Sequence, residues 1–146
     1  MGIDDGEDAS PVTHRLTLRV YYEDTDLAGV VYYANYLRFI ERGRSEALRD
    51  LGIDQVALKR DLGLVFVVRR LSVDYLAPAL FDDVLEIRTR VTRLRGASVE
   101  MAQEVWRAGK CLNRAAVTIA CMDSVGRPKR LPEDVRDRLG RLFDPE

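Results

Sequence analysis

Leu16, Leu18 and Val20 alternate with Thr17, Arg19 and Tyr21, the two-residue period of a strand with one buried face. The period then lengthens. Tyr36, Phe39, Ile40, Ala47, Leu48 and Leu51 recur at helical spacing, while Arg38, Glu41, Arg42, Arg44, Glu46 and Arg49 largely fill the other side. This pattern predicts a helix over 35–51 that stops at Gly52, as helices often stop at glycine. At ~1.5 Å per residue it would be about 25 Å long, enough to cross a sheet from edge to edge. A short helical turn near 55–60 comes next, and the dense apolar run after Gly63 predicts a strand over 64–75. Three further alternating faces follow: Leu85, Ile87, Thr89 and Val91; Val99, Met101, Gln103 and Val105; Ala115, Val117, Ile119 and Cys121. Arg95-Gly96-Ala97 and Ala108-Gly109-Lys110 supply the turns between them, so the strands are antiparallel. The stretch 132–139 carries a faint helical pattern and is expected to pack at the surface. One long helix followed by hairpin-connected strands makes an α+β layer, in which an antiparallel sheet wraps around one long central helix.

At 146 residues, 47% of them hydrophobic, the chain can bury a core without disulfides or metal. Twenty-three basic residues against 24 acidic ones argue against a surface built to attract nucleic acid or anionic lipid. Any phosphate site must therefore be local. Cys111 and Cys121 lie ten positions apart, which fits neither a redox C-x-x-C pair nor a zinc knuckle; buried reduced thiols are expected. With no apolar run near 18 residues and no secretory signal, neither a membrane span nor export is expected, and the cytoplasm is the default compartment. Residues 1–12 are acidic and glycine-containing. They are expected to form a disordered tail beside a single domain over 13–146.

The chemistry concentrates where the first strand runs into the long helix, at Glu23-Asp24-Thr25-Asp26-Leu27-Ala28-Gly29. A carboxylate there can attack a carbonyl or activate water to do so. The unpaired N–H groups of the helix's first turn, aided by its dipole, can stabilise the oxyanion that develops. No metal is needed for this. The same residues also read as ordinary local structure, because Asp is a common helix cap and Asp-x-x-Gly a common turn. Gly29 suits either a close approach of backbone to ligand or a positive φ.

The segment 20–36 resembles the Asp-x-Asp-x-x-Gly-[Ile/Val]-Val signature of hotdog-fold acyl-CoA thioesterases of the 4-hydroxybenzoyl-CoA thioesterase type, most closely the Tol-Pal-associated bacterial branch. The likeness continues through Phe39-Ile40-Glu41-Arg42, Phe66-Val67-Val68-Arg69-Arg70, Asp74-Tyr75-Leu76-Ala77-Pro78, Asp82-Asp83-Val84-Leu85-Glu86-Ile87 and Leu94-Arg95-Gly96-Ala97-Ser98. It covers roughly residues 15–135. The resemblance implies a hotdog fold and hydrolysis of acyl-CoA to free acid and CoA, with no cofactor beyond the CoA that the substrate carries. It implies that Asp26 is the nucleophile or general base and that the Tyr33 N–H is the oxyanion donor, with Asp24 in a supporting or structural role. Many relatives in this branch carry a histidine where this chain has Tyr33, so a possible proton shuttle is missing. His14, a lone histidine before the first strand, reads as a surface residue.

Coenzyme A brings three phosphate groups, so Arg69-Arg70 and Arg95, with Ser98 as a further hydroxyl contact, are the candidate CoA-binding residues. Charged strand ends that only protect a sheet edge would look the same. Glu41 and Glu46, on the helix that carries the catalytic glutamate in another hotdog branch, sit among arginines at ion-pair spacing. By resemblance the chain forms a homodimer or homotetramer with sites where protomers meet, and an acyl carrier protein is a possible partner. The two apolar faces of 115–121 independently ask for cover on both sides. The rival reading is a noncatalytic acyl-CoA or acyl-carrier-protein binding module at the cell envelope. A hotdog dehydratase would want a histidine in the active loop.

Overall fold

The computed structural model describes residues 12–145; apart from Val12, the acidic tail lies outside the described residues. Five strands, β1 (His14–Arg19), β2 (Val65–Tyr75), β3 (Val84–Leu94), β4 (Ser98–Arg107) and β5 (Lys110–Met122), form one antiparallel sheet in the order β1-β3-β4-β5-β2. The helix α1 (Asn35–Asp50) lies against β1, β3 and β4. Its apolar stripe buries Tyr36, Phe39, Ile40, Ala47 and Leu48 against the alternating inner faces of the strands, with Leu85, Ile87, Val91, Met101, Val105 and Val117 buried opposite. Full burial of a side chain such as Phe39 or Ile40 contributes about 1.5–3 kcal/mol. The α+β arrangement and each predicted strand face are present.

Two devices fix α1 in place. At Gly43 the helix sits so close to β3 that an added Cβ would stand 2.5 Å from Ile87 Cγ2 and 3.3 Å from Gln103 Nε2. The fully buried Gln103 side chain then bolts helix to sheet: its Nε2 donates to the Ile40 carbonyl (2.9 Å) and to Thr89 Oγ1 (2.9 Å), and its Oε1 accepts from Arg44 Nη1 (3.2 Å). Burial pulls the Arg44 guanidinium below its ordinary pKa. The helix ends in a Schellman motif. Gly52 takes φ +83°, its N–H donates to the Arg49 carbonyl (2.9 Å), and the Ile53 N–H reaches back to Leu48 (2.9 Å).

The expected turn near 55–60 is α2 (Gln55–Ala57), which runs into a wider turn over Leu58–Leu62. The C-terminal segment departs from the surface packing expected of it. In α3 (Glu133–Leu139), Val135 and Leu139 enter the core, and Arg138 Nη1 donates to the Leu51 carbonyl at the end of α1 (2.9 Å). A basic side chain there complements the exposed carbonyls and the negative end of the helix dipole. Both thiols are free, Cys121 buried and Cys111 partly so.

The helix leaves the β2 edge of the sheet uncovered. β2 is an edge strand, and its side chains facing the α1 side, Val68 (44% exposed), Leu71 (37%) and Tyr75 (48%), remain open. On the other face of β5, Ala116 is exposed while Ala120 is buried, so the expected demand for cover there is met only in part. Among the described residues no helix is long and apolar enough to cross a membrane.

Candidate active site

β1 ends at Arg19, and Val20 is held on both sides by the 82–83 backbone. A single 3-10 turn, Tyr22–Asp24, then redirects the chain. The Asp24 carboxylate accepts the Tyr21 N–H (2.8 Å), and the Asp24 carbonyl accepts both the Tyr32 N–H (3.1 Å) and Asn35 Nδ2 (2.8 Å). Asp24 thus ties the loop to the first residue of α1 through its backbone carbonyl, while its carboxylate holds the Tyr21 N–H.

Between the bridged residues Thr25 and Val31 the chain makes a tight loop. The Asp26 N–H donates to the Val30 carbonyl (2.9 Å), and the Gly29 N–H donates to the Asp26 carbonyl (3.0 Å). The loop lies on the 79–81 segment through Val31 N–H to the Ala79 carbonyl (2.8 Å) and Phe81 N–H to the Gly29 carbonyl (3.2 Å). Gly29 takes φ +80° with nothing within 4 Å of an added Cβ, so a positive φ, rather than crowding, requires glycine here. One carboxylate oxygen of Asp26, Oδ1, accepts the Ala28 N–H (2.9 Å). The other accepts no hydrogen bond among the described residues, and the side chain is exposed in the single chain.

Asp26 does not cap α1, and among the described residues no other side chain does: the N-cap is Ala34. Among the described residues the N–H groups of Tyr33 and Ala34 have no acceptor. Their direction is set by the carbonyls of the same peptides, because the N–H of a trans peptide points opposite to its C=O. The Tyr32 carbonyl accepts the Asn35 N–H (2.8 Å) and the Tyr33 carbonyl accepts the Tyr36 N–H (3.3 Å). Both free N–H groups therefore point out of the helix start, where its dipole is positive. A free carboxylate oxygen and uncapped donors meet the needs of attack on a carbonyl and stabilisation of its oxyanion.

Aromatic rings surround this helix entry. Tyr32 and Tyr33 lie 4.8 Å apart between centroids, Tyr33 and Tyr75 6.2 Å, and Tyr36 and Tyr75 5.5 Å. The Tyr75 hydroxyl donates to the Tyr33 carbonyl (3.1 Å). The Tyr36 hydroxyl accepts the Ala79 N–H (2.8 Å), and burial raises the pKa of its phenol. Hydrogen bonding to the Tyr33 side chain raises that of Tyr32. Tyr75 is the neighbour that sequence reasoning missed; its signal was its place on the inward face of β2, within a quoted motif but without a role.

The CoA-binding candidates stand apart from the loop. Arg69 is the extra residue of a bulge in β2 between Val68 and Arg70. The bulge puts Arg70 opposite Thr118, on the face away from α1, five residues or about 16 Å along the strand from Tyr75 at ~3.3 Å per residue. Arg95, in the β3–β4 turn, pairs with Glu100 (Nε to Oε2, 3.2 Å), and Ser98 begins β4 with only 5% of its surface exposed. The structure thus places Asp26 and Gly29 in one hydrogen-bonded loop, tied through Asp24 and Tyr32 to the helix start that follows Tyr33, and leaves the arginines at a distance within one chain. Glu46 pairs with Arg49 (2.5 Å) on the helix surface, and His14 Nε2 pairs with Asp50 (2.7 Å).

A five-stranded antiparallel sheet packed on one long helix is the hotdog arrangement. The Thioesterase superfamily (4HBT) model matches residues 28–111: the chain belongs to that superfamily and is a thioester hydrolase. It is 45% identical over 123 residues to the acyl-CoA thioester hydrolase YbgC of Escherichia coli O6:H1, covering 83% of this chain and 91% of the relative. The acyl-CoA thioesterase YbgC of Haemophilus influenzae is 42% identical over 126 residues, covering 86% and 93%. A solved structure of a probable thioesterase from Bartonella henselae superposes with a TM-score of 0.79 at 44% identity, covering 82% of this chain and 99% of that one.

Proposed function

We propose that this chain is a cytoplasmic acyl-CoA thioesterase in which Asp26 attacks the thioester carbonyl, or activates water to do so, while the Tyr33 N–H holds the oxyanion. The observation that carries the reading is an Asp26 carboxylate oxygen and, at the start of α1, the Tyr33 and Ala34 N–H groups, all left without side-chain or backbone partners among the described residues. In the direct route the carboxylate displaces CoA thiolate, and water then hydrolyses the acyl-aspartyl anhydride. In the water route Asp26 takes a proton from the attacking water and returns it to the departing thiolate. Neither route calls for a metal or a separate cofactor.

Residues 13–146 act as one domain and assemble as a homodimer or homotetramer. Support comes from the exposed apolar edge at β2 and from the exposed position of Asp26, both of which a second copy would cover. Arg69, Arg70 and Arg95, with Ser98, serve the CoA phosphates of a site shared between protomers. An acyl carrier protein thioester is a second possible donor of the acyl group.

The test is release of free thiol by the purified chain from acetyl-, octanoyl-, palmitoyl- and benzoyl-CoA. Steady turnover of at least one is expected. Saturable binding without thiol release would replace the enzyme with an acyl-CoA binding module.

A further inference from the structure

Of the two uncapped peptides at the start of α1, the second is held by more than the helix. Its carbonyl, that of Tyr33, makes only a long backbone bond to the Tyr36 N–H (3.3 Å). The Tyr75 hydroxyl, from the last residue of β2, supplies the other (3.1 Å). The Tyr75 ring meets the rings of Tyr33 and Tyr36 edge-on, at 6.2 and 5.5 Å, so the hydroxyl is aimed by packing on two sides. Tyr75 faces inward because the β2 bulge resets the strand's alternation.

We propose that Tyr75 is a positioning residue of the oxyanion hole: it fixes and polarises the Tyr33–Ala34 peptide so that the Ala34 N–H acts as a second oxyanion donor beside the Tyr33 N–H. A hydrogen bond accepted by an amide carbonyl strengthens the donor at the other end of the same amide. Orientation and polarisation therefore act on the same atom. The two N–H groups are consecutive, both lack acceptors among the described residues, and both emerge at the positive end of the helix. A donor set of this kind stabilises charge present only in the transition state, so its loss appears in kcat rather than in substrate binding.

The inference rests on the thioesterase reading, and one experiment separates the two. Wild type, Asp26→Asn and Tyr75→Phe are assayed for free-thiol release on whichever of acetyl-, octanoyl-, palmitoyl- or benzoyl-CoA the wild type turns over fastest. Tyr75→Phe keeps the ring and deletes only the hydroxyl. The expected result is a fall in kcat of about tenfold, the size of one hydrogen bond's net contribution, with KM within about twofold of wild type. The same variant labelled with 15N is expected to shift the Ala34 amide resonance, while amides of β3 and β4 stay in place. Unchanged kcat, a loss confined to KM, or an unmoved Ala34 amide would each overturn the proposal while leaving the enzyme reading intact. A wild type that releases no thiol from any of the four would instead remove the reading on which it rests.

Discussion

Two aspartates two positions apart are held differently. Asp24 accepts the Tyr21 N–H through Oδ2 and binds Tyr32 and Asn35 through its backbone carbonyl, whereas Asp26 accepts the Ala28 N–H through Oδ1 and is the more exposed of the two. Gly43 is set by space: a methyl group there would press on Ile87 and Gln103, both fully buried. Gly43→Ala is expected to cost about 1–3 kcal/mol, as overpacking in a filled core does; urea denaturation checks this, and an unchanged midpoint would show that the helix can shift. The cysteines follow from burial as well. Desolvation raises both thiol pKa values, so at neutral pH the reactive thiolate is scarcer than in a free cysteine. Native protein at pH 7.5 should therefore react with iodoacetamide several-fold more slowly than urea-unfolded protein, and equal rates would contradict that placement.

At the scale of elements, α1 was legible almost to the residue because two signals agree at its end. Apolar spacing runs to Leu51, and Gly52 then supplies the positive φ that closes the Schellman motif. Gly52→Ala is expected to lower stability by about 1 kcal/mol or more, through the positive φ and through a Cβ that would press on Arg138 Nη1, measured as a shift in thermal midpoint; no shift would mean that neither the positive φ nor the Arg138 contact secures this helix end. The strand faces were equally legible, since each alternates cleanly. What the sequence hid was parity and distance. The bulge at Arg69 turns Arg70 to the outer face, which strict alternation would have placed inward, and nothing local announces an inserted residue. The depth of Leu139 was hidden too: in a short helix with little amphipathic pattern, burial depends on what the distant end of α1 leaves uncovered. Tyr75 lay in plain view, but its role depends on a partner forty-two positions away.

For the whole molecule, the chain exposes apolar surface along β2 beside a carboxylate loop open to solvent, and one event, pairing with a second copy, would cover both. Val68→Lys places a charge on that open face, where edge strands are commonly protected by charge. It is expected to sediment as a monomer and to lose most thiol release, whereas an intact oligomer would shift the interface elsewhere. The superfamily was legible because its motifs span nearly the whole domain; a phosphate site near the loop was not, because one chain does not bring the arginines to it. The account turns on whether Asp26 performs the chemistry, and the most direct measurement is free-thiol release by Asp26→Asn compared with wild type on the same acyl-CoA. A loss of about 10²-fold or more with an unchanged thermal midpoint is predicted, as for removal of a general base. Turnover within a few-fold of wild type would contradict it.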